Sequence, residues 1–472
     1  MKQKMIIGGA AVAGSGYFEL RNPYDGSLLA EVPQAEAKEV KAAIASAAAA
    51  QVEMAALPAH RRADILLHVV KLLATHKEEL ARTISMESGK PMKFSTVEVD
   101  RAMETFRFAA EEAKMIHGET IPMSAARGGE NRVAFFERFP IGPIGAITPF
   151  NFPLNLVAHK LGPAIAAGNA FVLKPAEQTP LTALKLADIL LQAGVPAKAV
   201  NVVTGDGRAG AFMVPDERLR MISFTGSPPV GREIKKRAGV KRVALELGSN
   251  SGVILEQDTD LDLAVERCLH GSFYNSGQVC ISLQRIYLHA DIHEAFREKL
   301  TARVAELTLG DPLKPNTDIG PLIDQGAAAR TAEWLEEASQ AGARVVCGGR
   351  VHDHNIFEPT IIENASAAMK VVCNEVFAPL VSLTPYTDFE AALAALNNSV
   401  YGLHAGIFTR DISKAFKAFR TLEVGGVIIN DIPTYRSDHM PYGGVKESGL
   451  GREGVKYAIE EMTEIKTLVF SL

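Results

Sequence analysis

Cys280 ends the stretch Phe273-Tyr274-Asn275-Ser276-Gly277-Gln278-Val279-Cys280, a polar, glycine-containing segment that follows a helical pattern. As a thiolate it could attack a carbonyl carbon; as a thiol it is a small buried hydrophobe, the commoner fate of a cysteine. The nucleophilic role needs a group that stabilises the thiolate and a base, and one position names neither. Glu246 closes the apolar run 242–247, where a carboxylate is uncommon unless exposed or used for proton transfer. Lys174 closes the run 170–174 and leaves the same two readings open. Ligands of open α/β sheets bind at the carboxyl ends of strands, so these residues are weighed together.

Two glycine-rich turns could hold phosphate. Gly205-Asp206-Gly207-Arg208-Ala209-Gly210 fits G-x-G-x-x-G, but the acidic residue due about 20 positions on is replaced by Ser223-Phe224-Thr225-Gly226. Phe224-Thr225-Gly226-Ser227 leaves a strand and enters a helix, the better setting for an anion, although such turns also occur without ligands. Other chemistries lack their signatures: the chain has no G-x-S-x-G elbow, Walker loop or H-E-x-x-H. His289 and His293 have i, i+4 spacing and His352-Asp353-His354 is compact, yet neither has a third ligand nearby, so solvated surface is expected and no metal.

The elements that must position these residues follow from periodicity. Apolar runs at 144–148, 170–174, 200–204, 220–224 and 242–247 alternate with helical patterns at 153–167, 180–193, 208–214 and 229–238. That alternation predicts an α/β fold with a parallel, doubly wound sheet. Upstream, two short strands precede helices at 39–54 and 62–81, and 121–139 passes from a loop into a projecting strand. A second α/β alternation runs from 252 to about 430, with helices at 261–272, 292–307 and 327–341 and strands at 285–289, 371–373 and 427–430. The apolar C-terminal strand needs an edge to pair with, and a partner subunit is one.

Composition narrows the class. The 472 residues are 47 % hydrophobic and 22 % charged, with 50 Lys and Arg against 55 Asp and Glu, a net charge of −5. Such a chain is globular and has no electrostatic reason to bind nucleic acid or an anionic membrane. Four cysteines with no Cys-x-x-Cys suggest a reducing compartment. No apolar run approaches the roughly 18 residues of a membrane span. Three glycines dilute the apolar stretch 5–14 behind Lys2 and Lys4, which argues against a cleaved leader and for a cytoplasmic location.

Taken together, the segments resemble the aldehyde dehydrogenase superfamily. Its motifs match, in order, Thr148-Pro149-Phe150-Asn151-Phe152-Pro153, Lys174-Pro175-Ala176-Glu177, Phe224-Thr225-Gly226-Ser227, Glu246-Leu247-Gly248, Gly277-Gln278-Val279-Cys280, Glu375-Val376-Phe377-Ala378-Pro379 and 441–449. The resemblance spans nearly the whole chain. It implies a Rossmann-like NAD-binding domain (1–120 and 140–247), an α/β catalytic domain (248–440) and an oligomerisation β-flap (121–139 and 451–472), in a homodimer or homotetramer. Cys280 is then the nucleophile, Asn151 an oxyanion donor and Glu246 the base that releases the acid; its presence favours hydrolysis over transfer to coenzyme A. The cofactor residues implied are Thr148, Phe150, Lys174, Glu177, Gly207, Phe224, Thr225, Gly226, Ser227, Leu247, Glu375 and Phe377. A carboxylate at Glu177 accepts hydrogen bonds from ribose hydroxyls and repels a 2′-phosphate, which favours NAD while leaving NADP use open. Ser249 departs from the family's usual second glycine, and Val279 offers no polar substrate contact.

Three positions that are apolar or aromatic in fatty- and acetaldehyde-type relatives are Arg101, His159 and Arg436 here. Each alone suits a structural charge; together they suit an anionic group. The expected substrate is a short aldehyde of the sulfolactaldehyde, phosphonoacetaldehyde or succinate semialdehyde type, with a lactaldehyde-type hydroxyaldehyde as the neutral alternative.

Overall fold

The structure, a computed structural model, describes residues 2–472 and contains two parallel sheets with separate cores. The first has the order Gly449–Leu450, Arg242–Glu246, Met221–Thr225, Ile144–Ile147, Phe171–Lys174, with only the Gly449–Leu450 edge antiparallel. Its inner strands are buried on both faces, which is why they read as continuous apolar runs. Ile147 pairs with Lys174 and Phe224, and Glu246 with Thr225. That register lines up Thr148, Lys174, Thr225 and Glu246 along one carboxyl edge, the ligand-binding edge of an open α/β sheet.

The second sheet has the order Arg344–Cys347, Thr360–Glu363, Leu380–Tyr386, Arg285–His289, Gly252–Leu255, His404–Phe408, Gly426–Ile429. Only the Arg344–Cys347 edge is antiparallel. Among the described residues no single helix is long and apolar enough to cross a membrane.

Several elements differ from the sequence reading. The N-terminal segment forms four short strands, because Gly8 and Gly9, at φ 61° and 74°, turn Met5–Ile7 back onto Ala10–Val12. The helix expected over 62–81 breaks at His76 into Ala59–Thr75 and Lys77–Ser88. Residues 200–204 make only isolated bridges, through Val202 to Ile6 and Leu173. The strand expected at 371–373 is a helical turn, Lys370–Cys373, in which the Val372 and Cys373 amides donate to the Met369 carbonyl at 2.8 and 3.0 Å. Local backbone bonding there overrides the strand preference of two valines.

The C-terminal strand finds its edge within the chain. Thr463–Ser471 pairs antiparallel with Arg132–Pro140, whose other edge holds Glu119–Ile121. The helix Val455–Glu461 is not part of this projecting sheet, because Val455, Ile459 and Met462 are buried in the first core. Ile465, Leu468, Val469 and Phe470 are all exposed on the sheet. Leu468→Asp with Phe470→Asp is therefore expected to leave the chain folded, with a circular dichroism melting curve close to that of wild type.

Candidate active site

Two adjoining cavities open along the carboxyl edge of the first sheet. The first, about 630 Å³, is lined by nine of the twelve expected cofactor residues: Thr148, Phe150, Lys174, Glu177, Gly207, Phe224, Thr225, Gly226 and Ser227. The second, about 580 Å³, is lined by Asn151, Glu246 and Cys280 together with Leu247, Glu375 and Phe377. Pro149, Phe150, Thr225, Gly226 and Ser227 border both, so they form one trough. The Phe150 and Phe377 rings meet edge to face, 5.8 Å apart, at the second cavity.

The trough holds unspent hydrogen-bonding capacity. The hydroxyls of Thr148 and Thr225, Asn151 Oδ1 and Glu246 Oε2 are buried without a partner. Buried polar groups are ordinarily paired, so these four point to groups supplied by ligands. One expectation is reduced: Ser227 caps the helix Pro228–Arg237, whose first two residues are prolines without an N–H, and this shortens the row of amides available to a phosphate.

Cys280 follows a strained loop. Asn275, Ser276 and Gly277 are all left-handed, at φ 50°, 54° and 70°. A Cβ on Gly277 would lie 2.2 Å from the Ala378 carbonyl oxygen, so glycine is required where the loop meets the segment carrying Glu375. The strain is held by Ser276 Oγ, which donates to the Gly320 carbonyl, and by Gln278 Oε1, which accepts from the Ile323 amide. Asn151 Nδ2 donates to the Gln278 carbonyl at 3.0 Å, tying the two loops together. Its second amide hydrogen and the Cys280 N–H have no acceptor among the described residues. These donors beside a thiol suit a developing oxyanion.

Charge behind these groups is carried by residues far apart in sequence. Burial, then the charge of Glu453, pushes the Glu246 carboxyl well above the usual range, while Arg436, Lys160 and Arg452 oppose the rise. Burial also penalises Glu453, but Lys160 and Arg436 outweigh it and bring the carboxyl down to about 2. Burial pushes the Cys280 thiol up to about 11, against a hydrogen bond from Tyr442 and the charge of Arg436. Burial raises Glu375 to about 7, although its Oε1 accepts from the Ser249 amide.

Arg101, His159 and Arg436 do converge, but with acidic partners and outside the lining of the two cavities. Arg101 donates to both oxygens of Asp438, at 3.2 and 2.7 Å. His159 Nε2 donates to Asp438 Oδ1 at 2.9 Å, and burial together with Arg436 lowers its basicity, so the ring contributes a hydrogen bond rather than a charge. Arg436 is buried, donates to Glu453 at 3.1 Å and lies 3.6 Å over the Tyr442 ring; its Nε has no partner. Arg101, Lys160 and Arg436 thus face Asp438 and Glu453, three cations against two carboxylates while Glu246 holds its proton.

Tyr442, Glu453, Lys160 and Asp438 were not singled out from sequence. Lys160 had a signal: beside His159, it is a charged residue in the helix Asn155–Ala167, whose residues other than Asn155, His159 and Lys160 are non-polar. Elsewhere, His293 pairs with Glu363 and His352 with Glu358.

Comparison with known proteins places these features in context. The model of the aldehyde dehydrogenase family matches residues 11–468. The chain is 47 % identical over 455 residues to 3-sulfolactaldehyde dehydrogenase from Priestia aryabhattai, covering 96 % of this chain and 95 % of that protein. It superposes with a TM-score of 0.97, at 42 % identity, on aldehyde dehydrogenase 21 from Physcomitrella patens in complex with the reaction product succinate, covering 100 % and 98 % of the two chains. Glyceraldehyde-3-phosphate dehydrogenase GapN from Methanocaldococcus jannaschii, complexed with NADP, superposes with a TM-score of 0.93 at 42 % identity, covering 96 % and 99 %.

Proposed function

The chain belongs to the aldehyde dehydrogenase family, and we propose that it oxidises a short aldehyde bearing an anionic group to the carboxylic acid, using NAD or NADP. The observation that carries the chemistry is the cavity shared by Cys280, Asn151 and Glu246, opening onto a trough rich in unpaired polar groups. The Thr148 and Thr225 hydroxyls and the pair Lys174 and Glu177 fit the hydroxyls and phosphates of a dinucleotide. Glu375 beside Gly248, whose added Cβ would lie 2.4 Å from Glu375 Oε2, would hold the nicotinamide ribose. When bound, the nicotinamide supplies the hydride acceptor.

The chain's own residues do the rest. The Cys280 thiolate adds to the aldehyde carbon, and the oxyanion accepts hydrogen bonds from the Asn151 side-chain amide and the Cys280 N–H. Loss of hydride leaves a thioester on Cys280. Glu246 takes a proton from the water that attacks this thioester, and Cys280 departs as a thiolate. Because burial holds Glu246 protonated to unusually high pH, its base form appears only as pH rises. Accordingly kcat is expected to climb with pH across the neutral range, and the climb to vanish in Glu246→Gln, in steady-state pH profiles. Residues 1–120 and 140–247, joined by 455–462, are assigned to dinucleotide binding and 248–440 to catalysis; the sheet containing Thr463–Ser471 is assigned to homo-oligomer formation.

An anionic substrate is supported by the surplus cation, and by Arg436 in particular, since its Nε is buried and unpaired close to the nucleophile. The similar proteins named above carry a sulfonate, a carboxylate product and a phosphate in their names. The test is NADH or NADPH formation across sulfonated, carboxylated and phosphorylated aldehydes, with propanal and lactaldehyde as neutral controls and coenzyme A as an added acceptor. A kcat/KM preference of at least about 100-fold for anionic members, unaffected by coenzyme A, is expected. Equal rates with lactaldehyde would make the neutral hydroxyaldehyde the substrate, and an acyl-coenzyme A product would overturn hydrolysis.

A further inference from the structure

Tyr442 lies in the segment 441–449, and its hydroxyl points at the nucleophile: Oη and Cys280 Sγ are 2.9 Å apart. The tyrosine is 2 % exposed, and its hydroxyl makes no other hydrogen bond among the described residues. The ring is fixed on several sides. Tyr442 and Glu453 exchange backbone hydrogen bonds of 3.0 and 2.6 Å, and the His404 ring meets it edge to face. Phe152, Leu156, Val279, Ile281 and Leu403 pack into the same apolar cluster. The Arg436 guanidinium covers the ring at 3.6 Å and is itself anchored to Glu453. A phenol held in this way cannot turn to another acceptor, so its orientation is set before the reaction begins.

We propose that the Tyr442 hydroxyl donates a hydrogen bond to the Cys280 thiolate and, with Arg436 stacked on its ring, sets the pH at which the nucleophile ionises. The inference rests on Cys280 being the nucleophile. While the sulfur is protonated either atom can donate; a thiolate only accepts, so the hydroxyl must then be the donor, and that bond favours the ionised form. Of the charged groups facing Cys280, Arg436 also favours the thiolate, whereas Glu246 and Glu375 oppose it. Tyr442 keeps its own proton, because burial and the neighbouring Cys280 and Glu246 all hold its ionisation well above the ordinary range. Ionisation therefore releases only the thiol proton, which leaves to solvent through the half-buried face of Cys280. Phenylalanine at this position would keep the packing and the stacked guanidinium and remove only the donor.

The test uses the full chain without cofactor. Alkylation of Cys280 by iodoacetamide, a neutral reagent, is followed against pH by mass spectrometry of the Cys280 peptide in wild type, Tyr442→Phe and Arg436→Gln. In Tyr442→Phe the midpoint is expected to rise by about one pH unit, so that the thiolate fraction near neutrality falls about tenfold. The kcat/KM for aldehyde should fall in parallel near neutrality and converge with wild type at high pH, with KM little changed. Arg436→Gln should move the midpoint in the same direction. A purely structural role for Tyr442 would change thermal stability or KM and leave the midpoint in place. A Tyr442→Phe profile superimposed on wild type, in a chain whose Cys280→Ser variant is inactive, would overturn the inference and leave the nucleophile intact. Turnover surviving in Cys280→Ser would overturn both.

Discussion

Cys280→Ser is expected to lower NADH formation by at least about 10⁴-fold while leaving dinucleotide affinity within about twofold of wild type. The substitution is nearly isosteric, so the cavity and the strained loop before it are kept. What disappears is the only thiol lining the shared cavity. A serine hydroxyl needs an adjacent base, and of the two carboxylates lining the cavity Glu246 is held protonated by burial and by Glu453, while burial also raises Glu375. Absorbance of the reduced cofactor reads the first effect, and titration calorimetry with NAD reads the second. Loss of both together would mean that the variant had misfolded; retained turnover would remove Cys280 from the mechanism.

Arg436→Gln carries the second large effect. The glutamine keeps some polar reach but removes the buried positive charge that the proposed anionic substrate would meet. For a sulfonated or carboxylated aldehyde kcat/KM is expected to fall by about 10²- to 10³-fold, and for propanal by less than about tenfold. Glu453 retains Lys160 at 3.0 Å, so the cluster is not left with a bare carboxylate. Urea denaturation alongside kinetics separates a selectivity change from instability. Arg101→Gln should have the smaller effect, because Arg101 already donates to both oxygens of Asp438 and is partly exposed. Equal losses for charged and neutral aldehydes in Arg436→Gln would assign Arg436 to the nucleophile's environment alone.

Continuous apolar runs closed by Thr148, Lys174, Phe224 and Glu246 were legible because strands buried on both faces admit little else, and their ends mark the ligand edge. The motifs carrying Asn151 and Cys280 were legible as segments, and the structure adds that the Gln278 carbonyl ties one to the other. What could not be read was partnership over distance. Arg101 and Asp438 are 337 positions apart, and Lys160 and Glu453 are 293 apart, so no spacing rule joins them. As a result two arginines and a histidine were visible without the carboxylates that hold them. The turn at Lys370–Cys373 failed for the opposite reason: two valines carry a local strand preference that backbone hydrogen bonding overrode.

Turnover through an enzyme-bound thioester is the central claim, and its most direct test is the mass of the Cys280 peptide in Glu246→Gln after a single rapid-quench turnover with a sulfonated aldehyde and NAD. With the base removed, thioester hydrolysis should become slow while hydride loss proceeds, giving a burst of about one NADH per chain. Cys280 should then carry the mass of the aldehyde less two hydrogens, one lost as hydride and one as the thiol proton. Unmodified Cys280 after the burst, or the acyl mass on Cys347 or Cys373 instead, would contradict it.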